Sequence, residues 1–216
     1  MMPRLLELFC GTKSVSKVFR VRGWEVVSLD LLSKFQPDIC CDVLRWDFTQ
    51  YPRGHFDFVW ASPPCTEFSK AKTTGVRDLE GANRLVARAR EIIDYFEPTF
   101  YCIENPVGLL RHQEQMLDLV PLRKTVSYCR YGFEYQKNTD LWSNVPFTPL
   151  VCSKGSYCNT KATLGHHSAT VQKGTSKCKS HIKCTPQASQ RYSLPPLLVE
   201  SIFNSINRAT PPQSHR

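Results

Sequence analysis

From residue 56 the chain reads Phe56-Asp57-Phe58-Val59-Trp60-Ala61-Ser62-Pro63-Pro64-Cys65, an apolar run followed by two prolines and a cysteine. A short apolar run bounded by turn residues is typical of a strand buried on both faces of a sheet. Runs of the same kind precede and follow it, at Arg4–Phe9, Glu25–Leu29 and Thr99–Ile103. The sequence therefore predicts a sheet built from short buried strands.

Amphipathic helices are predicted between these strands. The clearest one extends from about Gly81 to Phe96, before Pro98, and its apolar face comprises Leu85, Val86, Ala89, Ile92, Ile93 and Phe96. Alternating strands and helices indicate an α/β fold with a doubly wound, mostly parallel sheet covered on both faces. Residues 125–128 and 140–143 predict a hairpin at the sheet edge, and residues 195–196, both proline, can open a last helix.

The composition limits the class of protein. The chain has 216 residues, of which 41% are hydrophobic, enough for one core and a small appendage and too many for a disordered protein. No stretch approaches the roughly 20 apolar residues of a membrane helix, and Glu7 lies where a signal peptide keeps its apolar core. We therefore expect an intracellular protein with no membrane partner, whose ten cysteines are reduced thiols, metal ligands or a nucleophile.

Positive charge is concentrated in one segment. From Leu141 to Val199 there is no Asp or Glu, and this stretch supplies +7 of the net charge of +9. Such a segment is suited to lie along phosphates, although a solvated basic loop is the alternative. We accordingly divide the chain into an α/β core at 1–144, a small basic excursion at 145–190, a returning C-terminal helix at 191–208 and a tail at 209–216.

Ligands of a doubly wound sheet collect at the carboxyl ends of the strands, so the loops there are candidate sites. The first strand is followed by Cys10 and Gly11, and the glycine permits a tight turn and close backbone approach to a ligand. The second strand ends in Asp30, and Asp42 follows a third apolar run. A carboxylate at either place could accept hydrogen bonds from ribose hydroxyls or an exocyclic amine, or could cap a helix.

Two further loops carry reactive groups. Two prolines fix the backbone before Cys65, which we expect to lie exposed as a nucleophile whose thiolate is favoured by a basic groove. An inert loop thiol is the alternative. The fifth strand runs into Glu104-Asn105-Pro106, where a buried Glu104 could protonate a ring nitrogen, or could instead be a surface charge.

In this order, the motifs resemble those of the DNA cytosine-5 methyltransferase family. Its first motif is similar to Leu8-Phe9-Cys10-Gly11, its nucleophile motif to Pro63-Pro64-Cys65 and its acid motif to Glu104-Asn105-Pro106. The resemblance covers about residues 4–145, and the short chain is similar to the compact members of phages and large DNA viruses. It implies a Rossmann-like class I methyltransferase fold and methyl transfer from S-adenosylmethionine to carbon 5 of a cytosine flipped out of double-stranded DNA.

The resemblance also implies roles for individual residues. The Cys65 thiolate would add to carbon 6 of cytosine while Glu104 protonates or hydrogen-bonds nitrogen 3, and Asp30 would hold the cofactor ribose and Asp42 its adenine amine. The implied catalytic residues are Cys65, Glu104, Asn105 and Lys137, the last at the place of the family's first paired arginine. The implied cofactor-binding residues are Phe9, Cys10, Gly11, Asp30, Asp42, Pro63 and Ser193.

Two rival functions stay open at this point. A basic groove does not discriminate DNA from RNA, so the substrate could be transfer RNA. The first motif lacks the family's Gly-x-Gly-Gly, and the last lacks Gly-Asn before Ser193, which permits a nucleic-acid-binding protein that has lost catalysis. We expect a monomer acting on double-stranded DNA, in the nucleus or cytoplasm of a host cell if the chain is viral.

Two cysteine pairs in the basic segment share a spacing of five intervening residues. Together with nearby histidines they have the atoms of a structural zinc site, which could supply the order that a core cannot. Metal-free, reduced cysteines in a loop ordered by DNA are the alternative, because zinc pairs usually have shorter spacings. The candidate ligands are Cys152, Cys158, Cys178 and Cys184, with His166, His167 and His181 among them.

Overall fold

A mostly parallel sheet forms the centre of the computed structural model, which describes residues 2–165, 167, 169 and 192–209. The strands are β1 (Arg4–Leu8), β2 (Glu25–Asp30), β3 (Ile39–Cys40), β4 (Phe58–Ala61), β5 (Phe100–Pro106), β6 (Arg123–Ser127) and β7 (Asn138–Ser143). Within the described residues these seven strands form one sheet, in the order β3-β2-β1-β4-β5-β7-β6.

Helices cover both faces of this sheet. These are α1 (Ser14–Val21), α2 (Leu79–Phe96) and α4 (Pro196–Ala209), and the described residues also form a short helix, α3 (Asn159–Leu164), in the basic segment. On one face α1 meets α4, where the rings of Phe19 and Phe203 pack edge to face with centroids 5.3 Å apart. On the other face α2 packs Phe96 against Phe56 at 4.9 Å. The predicted doubly wound α/β fold is confirmed.

The long helix α2 begins two residues before the predicted start. The Asp78 carboxylate accepts a hydrogen bond of 2.7 Å from the Gly81 amide, so it satisfies one of the donors that a helix leaves unpaired at its first turn. The helix ends at Phe96 because Glu97 turns left-handed, with φ 46°. Its predicted apolar face is the buried one, as the full burial of Val86 and Ile92 shows.

The central strand β1 is parallel to both neighbours, β2 and β4. Leu5, Leu6 and Leu8 have no exposed surface, as expected of a parallel strand covered on both faces. Strand order reverses at β1 and β4, and ligands of open α/β sheets bind in the crevice at such a reversal. The loops after β1 and β4 are those that the sequence marks as candidate sites.

The strand β5 is longer than predicted and reaches Pro106. It continues because β7 enters the sheet beside it, antiparallel, so that Glu104 pairs with Leu141. The predicted hairpin is confirmed as β6 and β7, with β6 at the edge and β7 between β5 and β6.

A buried ion pair stabilises this side of the sheet. Asp140 on β7 is fully buried, and Arg111 binds both of its carboxylate oxygens at 2.7–2.9 Å.

The basic excursion is described at residues 145–165, 167 and 169. Its boundaries at 144 and 190 stay a prediction. Among the described residues, no helix combines the length and apolar character needed to cross a membrane.

Candidate active site

Cys65 lies in the loop after β4, at the carboxyl edge of the sheet. The preceding Pro63 carbonyl accepts a hydrogen bond of 2.9 Å from the side-chain amide of the buried Asn105 on β5. Beyond the cysteine, the Phe68 amide donates to the Cys65 carbonyl at 3.1 Å and closes a turn. The backbone around the thiol is therefore fixed from a neighbouring strand and by its own turn.

The Cys65 residue is half-buried, whereas the sequence analysis expects it exposed. Burial raises the pKa of its thiol above the ordinary value, the Lys137 ammonium lowers this pKa, and the Glu104 carboxylate raises it. In the protein alone the neutral thiol is favoured, contrary to expectation, because desolvation outweighs the nearby lysine. These influences also show that three of the predicted catalytic residues gather at one place.

Glu104 lies near the end of β5 and is 6% exposed, so it is not a surface charge. Its Oε1 atom accepts a hydrogen bond of 3.1 Å from the hydroxyl of Tyr128. The Lys137 Nζ atom lies 5.0 Å from the centroid of the Tyr128 ring, on the same side of the sheet edge. Tyr128 therefore contacts both Glu104, through its hydroxyl, and Lys137, through its ring.

Tyr128 was not among the predicted site residues. It is fully buried. Burial is the main reason that the pKa of its hydroxyl lies well above the usual value, and the neighbouring Glu104 carboxylate raises this pKa further. The hydroxyl therefore stays protonated and donates a hydrogen bond to Glu104 Oε1. A signal existed in the sequence, since Tyr128 ends the apolar run at 125–128 as the other candidates end their strands, but the hairpin had to be paired correctly to reveal it.

A close backbone contact joins the loops after β4 and β5. The Leu109 amide donates to the Phe68 carbonyl at 2.8 Å, and a Cβ atom at Gly108 would lie only 2.3 Å from that carbonyl oxygen. Glycine is therefore required at this position, a requirement that the sequence alone did not reveal. The Cys65 loop rests on the loop that follows Glu104.

The chain beyond Cys65 folds back on itself around Glu67. The Glu67 carboxylate accepts hydrogen bonds from Lys72 Nζ at 2.6 and 2.7 Å and from the Asp78 amide at 2.9 Å. These hydrogen bonds, that from Lys72 first, lower the pKa of Glu67. The segment 65–78 is thus a closed loop connected to the start of α2.

The loop after β1 takes a conformation that residues with side chains rarely adopt. Phe9, Gly11 and Lys13 all have left-handed backbones, with φ of 57°, 46° and 57°. The Gly11 amide donates to Asp30 Oδ2 at 2.9 Å, and Asp30 Oδ1 accepts from the Leu32 amide at 2.8 Å. The carboxylate of Asp30 therefore joins this loop to the end of β2, as the prediction of a common site requires.

Glu7 on β1 is a buried acid that the sequence analysis did not assign to the site. Its carboxylate accepts hydrogen bonds from the Ser16 amide at 2.8 Å and the Val15 amide at 3.3 Å, at the first turn of α1. Burial raises its pKa to about 7, against the opposing effect of these hydrogen bonds. Glu7 thus fixes the helix that begins directly after the loop of β1.

The other predicted cofactor residues border the same edge with different exposure. Asp42 accepts a hydrogen bond of 3.0 Å from the Leu44 amide and so caps a turn, not the helix that the sequence analysis gives as the alternative to a cofactor contact. Cys10 is 5% exposed, and burial raises the pKa of its thiol to about 12. Ser193 is half-buried, and the amide of the next residue, Leu194, donates to Ser14 Oγ at 3.1 Å.

Two of the four predicted zinc ligands lie together. Cys152 and Cys158 are buried in one cluster, which also contains Cys129 and approaches His167. The remaining candidates lie outside the described residues: Cys178, Cys184, His166 and His181.

Comparison with known proteins identifies the class that this fold and site define. A family model described as C-5 cytosine-specific DNA methylase matches residues 4–136. The chain is 38% identical over 172 residues to the "Probable DNA (cytosine-5)-methyltransferase" of Frog virus 3 (isolate Goorha), covering 72% of this chain and 77% of the relative. The chain therefore belongs to the C-5 cytosine-specific DNA methylase family, which methylates carbon 5 of cytosine in DNA, and the resemblance seen in the motifs is confirmed.

Two further matches are more distant. The type II methyltransferase M.AgeI of Thalassovita gelatinovora is 28% identical over 159 residues, which cover 60% of this chain and 36% of that longer protein. The solved structure of a DNA modification methyltransferase encoded within a prophage (E. coli) matches with a TM-score of 0.48 at 18% identity, over 64% of this chain and 45% of the other.

Proposed function

We propose that this chain transfers a methyl group from S-adenosylmethionine to carbon 5 of a cytosine flipped out of double-stranded DNA, through a covalent adduct at Cys65. The observation that carries the proposal is the convergence of Cys65, Glu104 and Lys137 at the carboxyl edge of the sheet. Each of these groups has a task at a different atom of the reaction.

Cys65 and Glu104 act together in the addition step, at carbon 6 and nitrogen 3 of the cytosine ring. The Cys65 thiol loses its proton to solvent, and its sulfur forms a bond to carbon 6 while Glu104, in its protonated form, gives its proton to nitrogen 3. The electron pair of the former 5,6 double bond then makes carbon 5 nucleophilic. S-adenosylmethionine supplies, when bound, the methyl group that carbon 5 accepts. Carbon 5 then loses its proton to solvent, the nitrogen 3 proton returns to Glu104, and the carbon–sulfur bond breaks. The released sulfur takes a proton from solvent, which regenerates the Cys65 thiol.

Neighbouring residues prepare these two groups. Lys137 opposes the effect of burial on the thiol and so favours the thiolate that must form. The Tyr128 hydroxyl orients Glu104, and the Asn105 amide holds the Pro63 carbonyl beside the nucleophile. Of these, Tyr128 and Asn105 are positioning residues, because they act through the reacting groups.

The residues of the β1 loop fit a cofactor with ribose hydroxyls. Asp30 is 9% exposed, and its carboxylate meets the left-handed loop at Gly11, where no side chain blocks backbone approach. With Asp30 and Gly11, the residues that would hold S-adenosylmethionine are Phe9, Cys10, Asp42, Pro63 and Ser193. Because β1 and β4 are adjacent, this loop lies next to the loop that carries Cys65.

The substrate assignment rests on the family and on charge. A base inside a duplex cannot reach a group at the sheet edge, so the cytosine must be extruded. The acid-free segment from Leu141 to Val199 supplies seven positive charges that can follow the phosphates. We infer that the protein acts as a monomer in the nucleus or the cytoplasm of a host cell. The viral relative supports the host cell as the place of action.

Covalent trapping tests the proposal. Carbon 5 of 5-fluorocytosine cannot lose its substituent as a proton, so with S-adenosylmethionine and 5-fluorocytosine DNA the enzyme should form an adduct that survives denaturation. We expect an adduct with the wild-type chain and none with Cys65→Ser. The matched control is Cys40→Ser, which alters an exposed thiol on β3 and should leave the adduct intact.

Other outcomes would contradict the proposal in distinct ways. An adduct on 5-fluorocytosine RNA but not on DNA would show that the substrate is RNA. The absence of an adduct on either, from a folded protein, would establish a binding protein that has lost catalysis.

A further inference from the structure

Three cysteines and a histidine converge outside the active site. Cys129, Cys152 and Cys158 are 7%, 4% and 3% exposed and form a small cluster separate from the two main cores. Their sulfur atoms and a ring nitrogen of His167 all lie within 4.8 Å of one another. The Cys152 Sγ atom lies 3.7 Å from His167 Nε2.

A tight turn between Cys152 and Cys158 brings these two residues together. Ser153 and Ser156 exchange two backbone hydrogen bonds of 3.1 and 3.0 Å, and Gly155 takes the required positive φ of 87°. The turn reverses the chain, so the Cys158 amide points at Cys152 Sγ at 3.4 Å. An amide that donates to a sulfur stabilises the negative charge of a metal-bound thiolate.

The third sulfur comes from a distant part of the chain. Cys129 lies in the 3-10 turn Tyr128–Tyr131 that follows β6. The Cys152 amide donates to Ser127 Oγ at 2.9 Å, and the Gln136 side chain donates to the Cys152 carbonyl at 3.0 Å. These bonds hold the start of the basic excursion against the end of β6.

We propose that Cys129, Cys152, Cys158 and His167 bind one structural Zn²⁺ ion. Tetrahedral zinc with bonds of about 2.3 Å to sulfur and about 2.0 Å to nitrogen separates its ligands by about 3.5 to 3.8 Å. The 3.7 Å between Cys152 and His167 lies in this range, and the remaining separations need only small side-chain rotations. A disulfide would join only two of the three clustered sulfurs.

Zinc is favoured over other cations by the donor set. Three thiolates and one imidazole are soft or borderline ligands that form a closed tetrahedral site, whereas Mg²⁺ and Ca²⁺ require oxygen. All four positions belong to protein side chains, so the ion is structural rather than catalytic. Among the described residues of the excursion, few apolar side chains are buried, and the metal supplies order that burial cannot.

The site has a consequence for the active site. Cys129 is the immediate neighbour of Tyr128, whose hydroxyl binds Glu104. The metal therefore links the excursion proposed to read DNA to the turn that positions the catalytic acid. This link rests on the proposed function, whereas the zinc site itself does not.

Zinc analysis of the full-length chain, purified without a metal-binding tag, tests the proposal. We expect about one zinc per chain by mass spectrometry and loss of that zinc in Cys129→Ser. Cys40→Ser, the control at an exposed thiol, should keep it. A folded wild-type chain without zinc would overturn the proposal, whatever its methyltransferase activity.

A second variant separates this ligand set from the one predicted from the sequence. Cys178→Ser combined with Cys184→Ser should keep the zinc. Loss of zinc from this double variant, together with zinc retained in Cys129→Ser, would overturn the proposal. The ligands would then be the two cysteine pairs predicted from the sequence.

A spectroscopic measurement on the wild-type chain covers the case in which Cys129→Ser does not fold. After removal of zinc, added Co²⁺ should give the intense visible and charge-transfer bands of a tetrahedral thiolate site, abolished by about one equivalent of Zn²⁺. The weak spectrum of six-coordinate Co²⁺ would overturn the proposal.

Discussion

At the scale of single residues, the active site depends on burial as much as on charge. Cys65 is adjacent to a lysine, yet desolvation is the largest influence on its thiol pKa, which is raised. The free protein therefore favours the neutral thiol, and we expect the thiol to lose its proton only as its sulfur adds to carbon 6. The Glu104 carboxyl group accepts a hydrogen bond from the hydroxyl of the buried Tyr128.

Tyr128→Phe should impair catalysis more than folding. The change removes the hydrogen bond to Glu104, and we expect kcat to fall about 10- to 100-fold while KM for DNA stays nearly unchanged. The free energy of unfolding should fall by about 1 kcal/mol. Steady-state methyl transfer and urea unfolding measure both effects.

The matched control is Tyr131→Phe in the same turn. The Tyr131 hydroxyl accepts a hydrogen bond of 2.9 Å from the Leu150 amide and does not bind Glu104. Tyr131→Phe should lower the free energy of unfolding by about as much as Tyr128→Phe does, but it should keep the wild-type kcat. Equal losses of kcat in the two variants would show that the effect of Tyr128→Phe is structural.

Glu7 should make stability dependent on pH. Its pKa is raised from 4.5 to about 7, so between these values the folded chain holds a proton that the unfolded chain releases. Protonated Glu7 contributes about 3 kcal/mol to the free energy of unfolding. This contribution is fully present below pH 4.5 and is lost as the pH rises to about 7. Glu7→Gln should remove this slope, as measured by urea unfolding from pH 4.5 to 8.

The exposed Glu114 supplies the control, because Glu114→Gln should leave the slope as it is in the wild type. A wild-type slope retained in Glu7→Gln would refute the assignment to Glu7.

At the scale of elements, the loops that carry the proposed nucleophile, Cys65, and the proposed acid, Glu104, depend on each other. The loop after β4 rests on the loop after β5 through the Phe68 carbonyl and Gly108, and Asn105 of β5 binds Pro63. Strand pairing extends β5 to Pro106 and so fixes Glu104 within the sheet rather than in a free loop. Geometry between these loops should therefore be sensitive to small additions of volume.

Gly108→Ala should displace the Cys65 loop. The added Cβ would lie 2.3 Å from a backbone oxygen that cannot rotate away, so the loops must separate. We expect kcat to fall at least about 10-fold and the free energy of unfolding to fall by about 1 to 3 kcal/mol.

Gly54→Ala is the control for this change. Gly54 has φ of 70° and no neighbour within 4 Å of an added Cβ, so it tests backbone strain without a contact. It should lower stability but leave kcat unchanged. Wild-type kcat in Gly108→Ala would show that the two loops tolerate separation.

At the scale of the whole molecule, the chain combines a doubly wound core with a small basic excursion. The basic excursion that we propose to read DNA has only about 45 residues, so few of its side chains can reach base edges. We predict a recognition sequence of about six base pairs or fewer.

Methylation of a random duplex library, followed by bisulfite sequencing, measures this sequence, with Cys65→Ser as the blank. A required site longer than about six base pairs would contradict the prediction, because each specified pair needs its own contacts.

Much of the fold and half of the site follow from local sequence. Apolar runs such as 4–9 and the helical spacing at 81–96 report burial patterns that neighbouring residues alone create, so β1 and α2 are predictable. Motifs at strand ends predict Cys65, Glu104 and Asp30 as site residues, because parallel strands bring their carboxyl ends to one edge.

Tertiary structure alone decided the partners of these groups. The insertion of β7 beside β5, the hydrogen bond of Tyr128 to Glu104, and the approach of Cys129 to Cys152 and Cys158 each join residues far apart in the chain. Periodicity and spacing are local properties, whereas such pairings depend on how the strands and turns pack over the whole chain, and burial then sets the protonation of Cys65 and Glu7.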